Sequence, residues 1–313
     1  MGLIGLKEGA LRLILFGGKG GVGKTTCAAS TALSLAKEGF KTLVISTDPA
    51  HSLSDSLGQK IGDEIKEAKG IENLSALEIS AEKALSEFKI EYEAEIRKIL
   101  DTSTYLDQED IDTILSLPIP GVDEVMGFKA IMDLIEEARF DKYIIDTAPT
   151  GHALRLLTLP GLLDEWIKVM ARMRWKYRYM VETFTGKYNP DEGDDLLLTM
   201  KKTVKGIKGL LKDEERCEFI PVTIPEDMAI LETERLVNNL NKYGIKVRQL
   251  VVNNVLVLEG ACRFCRERWK GQQRYINQIR ERFSTLKITI APLQPVEVKG
   301  IDALNNFKEP LIQ

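Results

Sequence analysis

The stretch that decides the fold is residues 11–25, which read LRLILFGGKGGVGKT. An apolar run suited to a buried strand, residues 11–16, leads into a glycine-rich loop, and a helix-compatible run closed by Gly39 follows. Between Gly18 and Thr25 the loop fits the pattern G-x-x-x-x-G-K-[ST], in which glycines let backbone amides wrap closely around phosphate groups. The stretch therefore predicts the strand, phosphate-binding loop and helix that open an α/β nucleotide-binding domain.

The side chains of this loop indicate that the phosphates belong to MgATP and that the nucleotide is hydrolysed. Lys24 is expected to reach the β- and γ-phosphates, and the Thr25 hydroxyl is expected to ligate Mg²⁺. The predicted nucleotide-binding residues of the loop are Gly18, Lys19, Gly20, Gly21, Val22, Gly23, Lys24, Thr25 and Thr26.

Two aspartates stand at the carboxyl ends of further predicted strands, where α/β sheets carry their chemistry. Asp48 follows the strand predicted at 42–47, and we expect it to orient the attacking water. Asp146 closes the apolar run 142–147, and we expect it to hold the Mg²⁺ shell. Two roles are open for Asp55. It could form hydrogen bonds to residues that contact the ligand, or it could cap a helix.

The segment Pro149-Thr150-Gly151 follows the second aspartate and is predicted to sense the γ-phosphate. The two histidines, His51 and His152, lie one in each candidate switch. A histidine base is not needed when positioning and electrostatics drive phosphoryl transfer, so we favour local hydrogen bonding for both.

Strands alternating with helices predict a doubly wound, mostly parallel sheet with an inserted α-helical subdomain. The expected core comprises about 11–80, 139–160 and 214–313, and the helical insertion about 81–138 and 161–213 of a single domain, 1–313. Pro118, Pro120 and Gly121 punctuate the first insertion, and residues 186–193 are expected to form a loop in the second. The predicted strands are 11–16, 42–47, 74–79, 142–147, 217–223, 247–253 and 286–291.

Composition narrows the functional classes. The net charge is −4, with no large basic excess, which argues against a general nucleic-acid binder. No uncharged apolar run reaches the roughly 18–20 residues that span a bilayer. With no export signal, we therefore expect a cytoplasmic protein with its four cysteines reduced.

Cys262 and Cys265 form a C-x-x-C pair, half of a tetrahedral thiolate zinc site. The chain has no second such pair, so two subunits would be needed to complete four ligands. A redox dithiol and two ordinary thiols remain open alternatives. Cys27 and Cys217 are predicted to be small buried residues.

Apolar residues with helical spacing suggest either an ordinary helical core or a groove for apolar helices, in which methionines would adapt to varied partners. On pattern alone the core is favoured. The residues proposed for such a groove are Met126, Met132, Trp166, Met170, Met173, Tyr177, Met180, Leu197 and Met200.

From about residue 12 to its C-terminus, the chain resembles the arsenite-pump and tail-anchored-protein-targeting ATPase family. The resemblance rests on FGGKGGVGKTT, STDPAHSLSD, DTAPTGHALRLLTLP, ETERL, the CRFC pair and APLQPVEVKG. The early lysine of the loop, Lys19, is typical of deviant phosphate-binding loops, in which it reaches the nucleotide of the facing subunit of a homodimer. The alternative is that Lys19 assists the phosphates of its own chain.

The resemblance implies roles for several residues. Asp48 would be the catalytic acid, Glu226 and Asn253 would contact nucleotide, and Pro292 would lie near the base. Cys262 and Cys265 would bind zinc between subunits. Targeting members of the family close a homodimer with ATP and shield the C-terminal transmembrane helix of a client before delivery to a membrane receptor. The targeting function that the resemblance implies would bring the protein to the membrane transiently.

Three functions remain to be weighed. Membrane-protein targeting is favoured because this chain has one ATPase half, lacks a cysteine near Pro118–Gly121, and carries a P-G-V-D-E stretch typical of that branch. Ser52 departs from the asparagine of many targeting members and is expected to tune hydrolysis. The first alternative is an ATPase that energises arsenite or antimonite efflux. The second is a partition or positioning switch, and the helical insertions argue against this second one.

Overall fold

The computed structural model describes residues 2–48, 52–103, 107–116, 122–147, 150–187, 192–258 and 262–311. Eight strands form one sheet within these residues, in the order β3-β4-β2-β5-β1-β6-β7-β8. The strands are β1 (Leu13–Gly17), β2 (Thr42–Ser46), β3 (Lys66–Glu67), β4 (Leu74–Glu78), β5 (Lys142–Asp146), β6 (Cys217–Thr223), β7 (Gln249–Val255) and β8 (Lys287–Pro292).

All strand pairs are parallel except β3 with β4, so the predicted doubly wound, mostly parallel α/β sheet is confirmed. The seven predicted strands are present, with ends that differ by no more than two residues. The prediction missed β3 because its two residues, Lys66 and Glu67, are charged and exposed and therefore give no apolar pattern.

Ten helices connect or extend these strands in the described part of the chain. They are α1 (Lys24–Lys37), α2 (Ser52–Leu57), α3 (Ala81–Ser103), α4 (Gln108–Ser116), α5 (Val122–Glu136), α6 (Thr150–Thr185), α7 (Glu192–Lys212), α8 (Asp227–Lys242), α9 (Arg263–Arg282) and α10 (Ile301–Leu311). No helix among the described residues is both long enough and apolar enough to cross a bilayer.

The chain divides into two compact units. The first, here called the sheet unit, comprises Met1–Ser80, Leu134–Leu154 and Leu210–Gln313. The second, the helical unit, comprises Ala81–Asp133 and Arg155–Gly209. In the loop expected at 186–193, residues 186 and 187 are not helical, residues 188–191 lie outside the described part of the chain, and α7 begins before the expected end, at Glu192. The predicted breaks at Pro118, Pro120 and Gly121 lie outside the described residues.

The core of the sheet unit places α1 against the sheet. Its small residues Ala28 and Ala32 are fully buried in one cluster with Ile14 and Phe16 of β1 and Val44 of β2. Small side chains let the helix approach the strands closely, and this packing holds the N-terminus of α1 at the carboxyl end of β1.

The strand register then brings the ends of three strands together, two of which are polar. Asp146 of β5 lies beside Phe16 of β1 and beside Ser46 of β2. The edge where α1 begins is therefore also the edge where β2 and β5 end, as expected for a ligand site in a parallel sheet.

Candidate nucleotide-binding site

The loop between β1 and α1 has a backbone that only glycine tolerates at two positions. Gly23, which precedes α1, has φ +92°, and a Cβ there would lie 2.2 Å from Asn253 Nδ2. A Cβ at Gly18 would lie 2.2 Å from the carbonyl oxygen of Val222. The glycines thus permit both left-handed backbone and close approach by β6 and β7, as the sequence pattern predicts.

Asn253 supports this loop from β7. Its side-chain amide donates a hydrogen bond to the Val22 carbonyl over 2.9 Å, and the residue is buried. Its side-chain oxygen is buried and accepts no hydrogen bond from the described residues. Because a buried polar atom normally has a partner, this oxygen is suited to a ligand that enters the cleft.

Lys24 begins α1 and is almost fully buried. Its ammonium group donates a hydrogen bond to the Lys19 carbonyl over 3.3 Å. Burial lowers the pKa of Lys24 below its usual value, while the charges of Asp146 and Asp48 act in the opposite direction. A cation held in this way by a backbone carbonyl is positioned for phosphate oxygens.

Asp146 is fully buried at the end of β5. The Thr25 hydroxyl donates to Asp146 Oδ2 over 2.7 Å, and the Ser46 hydroxyl donates to the same oxygen over 3.4 Å. Burial raises the pKa of Asp146 to about 6, against the opposing effects of the Thr25 hydrogen bond and the Lys24 charge. Asp146 Oδ1 accepts no hydrogen bond from the described residues.

These contacts fit a magnesium site. A carboxylate, a threonine hydroxyl and a second hydroxyl converge within hydrogen-bonding distance, and Mg²⁺ prefers oxygen ligands together with substrate phosphates. The free oxygen of Asp146 gives a buried negative charge that a cation would stabilise.

Asp48 lies just beyond β2, half-buried, with its backbone amide donating to the Ser46 hydroxyl over 3.2 Å. Ser46 therefore links Asp48 and Asp146, so the two aspartates predicted from separate strand ends share one network. His51 and Pro149 lie outside the described residues, as do the side chains of Thr150 and His152.

The loop and Asp48 border a cleft of about 740 Å³. The cleft is lined by the predicted residues Gly20, Gly21, Gly23, Lys24, Thr25, Thr26, Asp48 and Asn253, and also by Ser52, Asp55, Ser56, Asn254, residues 293–299 and Phe307. The volume suits a small-molecule ligand the size of a nucleotide. Of this region, only Pro292 was predicted from the sequence to lie near the base, because no phosphate-binding pattern marks residues 293–299.

Several predicted site residues do not line this cleft. Gly18, Lys19 and Val22 are not among its lining residues, Pro292 precedes its wall, and Glu226 is exposed immediately before α8.

Lys19 contacts its own chain. Its ammonium nitrogen lies 3.6 Å from Glu232 Oε1 of α8, with both side chains partly exposed. This pair could not be predicted from sequence, because the two residues are far apart in the chain and the intervening elements set their distance.

Two acids near α2 differ from the sequence-based picture. Asp55 lies in the first turn of α2 and faces Lys299 across 4.0 Å, mostly exposed. Glu78, which the sequence analysis missed, is buried at the end of β4 and accepts hydrogen bonds from the Ser54 amide and hydroxyl, each over 2.9 Å. An acid at the end of a predicted strand was the available signal.

The cysteines fall into two classes. Cys27 and Cys217 are buried, as predicted, and burial raises the pKa of each thiol. Cys262 is exposed just before α9, and its thiol pKa lies below the usual value, chiefly because the Cys265 backbone amide donates a hydrogen bond to it. Hydrogen bonding to Cys262 raises the pKa of Cys265. No third metal-ligating side chain joins this pair in the described residues.

The residues proposed for an apolar groove differ in exposure. Met126, Met170, Leu197 and Met200 are buried, so they form part of the helical unit's core in this structure. Met132, Met173 and Tyr177 are half-buried, Met180 is exposed, and the side chain of Trp166 lies outside the description.

A neighbouring stripe on α6 is the more accessible apolar surface. Val169, Met173, Tyr177, Met180 and Phe184 follow at spacings of four, four, three and four, which places them on one side of the helix. Val169, Met180 and Phe184 are exposed, Phe184 at 86%. The sequence pattern could not separate this stripe from the buried one beside it.

Comparisons with known proteins identify the family of the chain. A family model described as anion-transporting ATPase matches residues 11–313. The "ATPase ASNA1 homolog 1" of Paramecium tetraurelia is 38% identical over an alignment covering 98% of this chain and 94% of the relative. The "ATPase ASNA1 homolog" of Dictyostelium discoideum is 36% identical, covering 97% and 90%. The "ATPase get3" of Neurospora crassa is 35% identical, covering 98% and 92%. The chain therefore belongs to the anion-transporting ATPase family and is an ATPase that uses ATP and Mg²⁺.

Proposed function

We propose that the protein is an ATP-driven targeting factor that binds the transmembrane helix of tail-anchored proteins and delivers it to a membrane receptor. The observation that carries this proposal is the exposed apolar stripe on α6, Val169, Met173, Tyr177, Met180 and Phe184. An apolar helix can lay its side chains along such a stripe, and methionine adapts to varied partners. Membership in the ATPase family and relatives named get3 support it.

The nucleotide site would drive this cycle through residues already in contact. Lys24 binds the β- and γ-phosphates, and Asp48 orients the attacking water at the mouth of the cleft. Thr25 and Asp146 would hold Mg²⁺, and a bound Mg²⁺ would supply neutralisation of the phosphate charge. Asn253 fixes the loop and turns its unpartnered oxygen to the nucleotide.

The working form in this proposal is a homodimer. Cys262 and Cys265 supply two thiolates, and two copies complete the four ligands that a structural zinc ion takes. Exposed apolar side chains lie close to the pair in sequence, namely Val257, Leu258 and Phe264, and a second copy would cover them. Lys19 then leaves Glu232 and reaches the nucleotide of the partner.

The dimer is tested by the Cys262→Ser, Cys265→Ser double variant. Its mass by light scattering and its zinc content by elemental analysis should fall together, while Cys27→Ser, in a buried position of α1, leaves the zinc content unchanged. A monomeric, metal-free wild-type protein would exclude this arrangement.

Client binding is tested by co-expression with a model protein that ends in one transmembrane helix. The wild type should co-purify with it, and arginines placed in the client helix should abolish capture. Met180→Asp with Phe184→Asp should reduce capture at least about tenfold, because each charge replaces apolar contact. Ile90→Asp, an exposed apolar position on α3, is the matched control and should retain capture.

Absence of capture in every nucleotide state would reject the proposal. Stimulation of ATP hydrolysis by arsenite in the same preparation would then support the efflux function.

A further inference from the structure

The helical unit carries a strongly basic surface that the proposed function does not use. On α7, the interval from Leu196 to Lys212 contains lysines and no acidic residue. On α6, cations recur every fourth residue on the side opposite the core. We call the following six side chains the basic face: Lys168, Arg172, Lys176, Lys201, Lys205 and Lys208.

Asp164 shows that the α6 and α7 cations share one surface. Its carboxylate lies 3.1 Å from Lys168 of α6 and 3.8 Å from Lys208 of α7. The hydrogen bond from Lys168, together with the charges of Lys208 and Lys201, holds the pKa of Asp164 below its usual value. One carboxylate therefore stands among three lysines, and the local potential is positive.

The other cations of the basic face are unpaired within the described part of the chain. Arg172, Lys176 and Lys205 form no ion pair there and extend into solvent. The whole chain nevertheless has a net charge of −4. A large anionic surface would repel the molecule as a whole and attract it only in the orientation that presents this face.

Two aromatic side chains lie among these cations. Trp175 and Tyr179 stack with ring centroids 6.1 Å apart and an interplanar angle of 26°, and both are more than 60% exposed. Each combines an apolar body with a polar tip, the property that enriches tryptophan and tyrosine at the boundary between lipid headgroups and water. Long lysine and arginine side chains suit the same boundary, because their stems contact apolar groups while their charges stay solvated.

We propose that the basic face, with Trp175 and Tyr179, docks on the anionic phospholipid headgroups of a membrane. Charge complementarity supplies the attraction, and the stacked rings insert at headgroup depth. An acidic protein partner would satisfy the cations but would leave the exposed ring pair without an apolar environment. Docking is a property separate from client capture, so it stands or falls independently of the proposed function.

The test is flotation of the full-length protein with vesicles of phosphatidylcholine alone, or with about one third phosphatidylglycerol. The wild type should float with the anionic vesicles only, and about 0.5 M salt should release it. Lys201→Glu with Lys205→Glu should lower the apparent affinity at least about tenfold, since each basic residue near the surface adds substantial attraction.

The matched control is Lys60→Glu with Lys69→Glu, which makes the same change in net charge at exposed positions of the sheet unit. The control should bind as the wild type does, and both variants should keep vesicle-free ATP hydrolysis, which reports that they fold. Brominated lipid should quench wild-type tryptophan fluorescence more than that of Trp175→Phe.

Four outcomes would overturn the proposal. They are absence of flotation, equal flotation with neutral vesicles, equal loss in the two lysine variants, and binding to polyglutamate without binding to vesicles. The last would assign the basic face to an acidic protein partner.

Discussion

Asp146 in the sheet unit and Phe184 in the helical unit both have a solvent exposure that is unusual for their residue type. Asp146 is a carboxylate with no exposed surface, and Phe184 is a large apolar side chain at 86% exposure. Charged groups are seldom buried without partners, and exposed apolar clusters usually mark contact surfaces. The sheet unit thus concentrates unusual polar burial, and the helical unit concentrates unusual apolar exposure.

The difference teaches where each unit can act. In the sheet unit, Thr25, Ser46 and Asp146 form a hydrogen-bonded network beside the buried Lys24 and are preorganised for a charged ligand. In the helical unit, the unusual side chains have solvent on one side, so their contribution requires a partner. The predictions below probe this contrast.

The largest effect is expected at Asp48. Asp48→Asn should keep MgATP affinity within a few fold and lower kcat by about a thousandfold, because the amide cannot orient or polarise water as a carboxylate does. Lys24→Ala, in contrast, should lose nucleotide affinity. Calorimetry measures the affinity for MgATP, and phosphate release measures kcat. Wild-type turnover in Asp48→Asn would refute the assignment of Asp48.

The second test compares two methionines of α6. Met170 is 4% exposed and Met180 is 46% exposed. Met170→Asp should destabilise the protein by about 3 kcal/mol or more, since it buries an unpaired charge, and Met180→Asp by less than about 0.5 kcal/mol. Thermal denaturation measures both. Equal midpoints would mean that Met170 is not in the core and that the contrast within α6 is wrong.

The buried carboxylate gives the third prediction. Because the pKa of Asp146 in the folded protein, about 6, exceeds its ordinary value of 3.8, the folded protein holds this proton more tightly. The contribution of Asp146 to the free energy of unfolding therefore falls as pH rises from about 4 to about 6 and stays low above pH 6. At pH 8 without Mg²⁺, Asp146→Asn should be more stable than the wild type by up to about 3 kcal/mol.

Urea denaturation at both ends of this pH window measures the effect. The advantage of Asp146→Asn should vanish near pH 4, and added Mg²⁺ with ADP should stabilise only the wild type. A variant that is less stable than the wild type at pH 8 would show that hydrogen bonds at Asp146, not its burial, dominate.

The polar site of the sheet unit could be predicted from the sequence. Glycines, a lysine and acids at strand ends have spacing that itself encodes geometry, so Lys24, Thr25, Asp48 and Asp146 could be placed before any coordinates. The sheet was equally accessible, because strands buried on both faces leave continuous apolar runs. Strand β3 was not predicted, because its two residues are charged and exposed and leave no apolar run.

The exposure of the apolar stripe in the helical unit could not be predicted from the sequence. A stripe at helical spacing has the same pattern whether it packs inside the helical unit or faces solvent, and exposure is decided by neighbouring helices. Met170 and Met180 therefore looked alike in sequence and differ in the structure. The contact between Lys19 and Glu232 was hidden for a related reason, since only the fold brings α8 to the loop.

That ion pair carries the smallest predicted effect. In the proposed dimer, Lys19 would have to leave Glu232 before reaching a partner's nucleotide, and a partly exposed pair of this kind contributes only a fraction of a kcal/mol to about 1 kcal/mol. Glu232→Gln should therefore raise ATP-dependent dimer closure, and with it kcat, by about two- to fivefold. Glu234→Gln, on the same helix, is the matched control and should leave kcat unchanged. Because Lys19→Ala removes the group that is released, the Glu232→Gln gain should disappear in the double variant. A gain that persists without Lys19 would show that Glu232 acts through another contact.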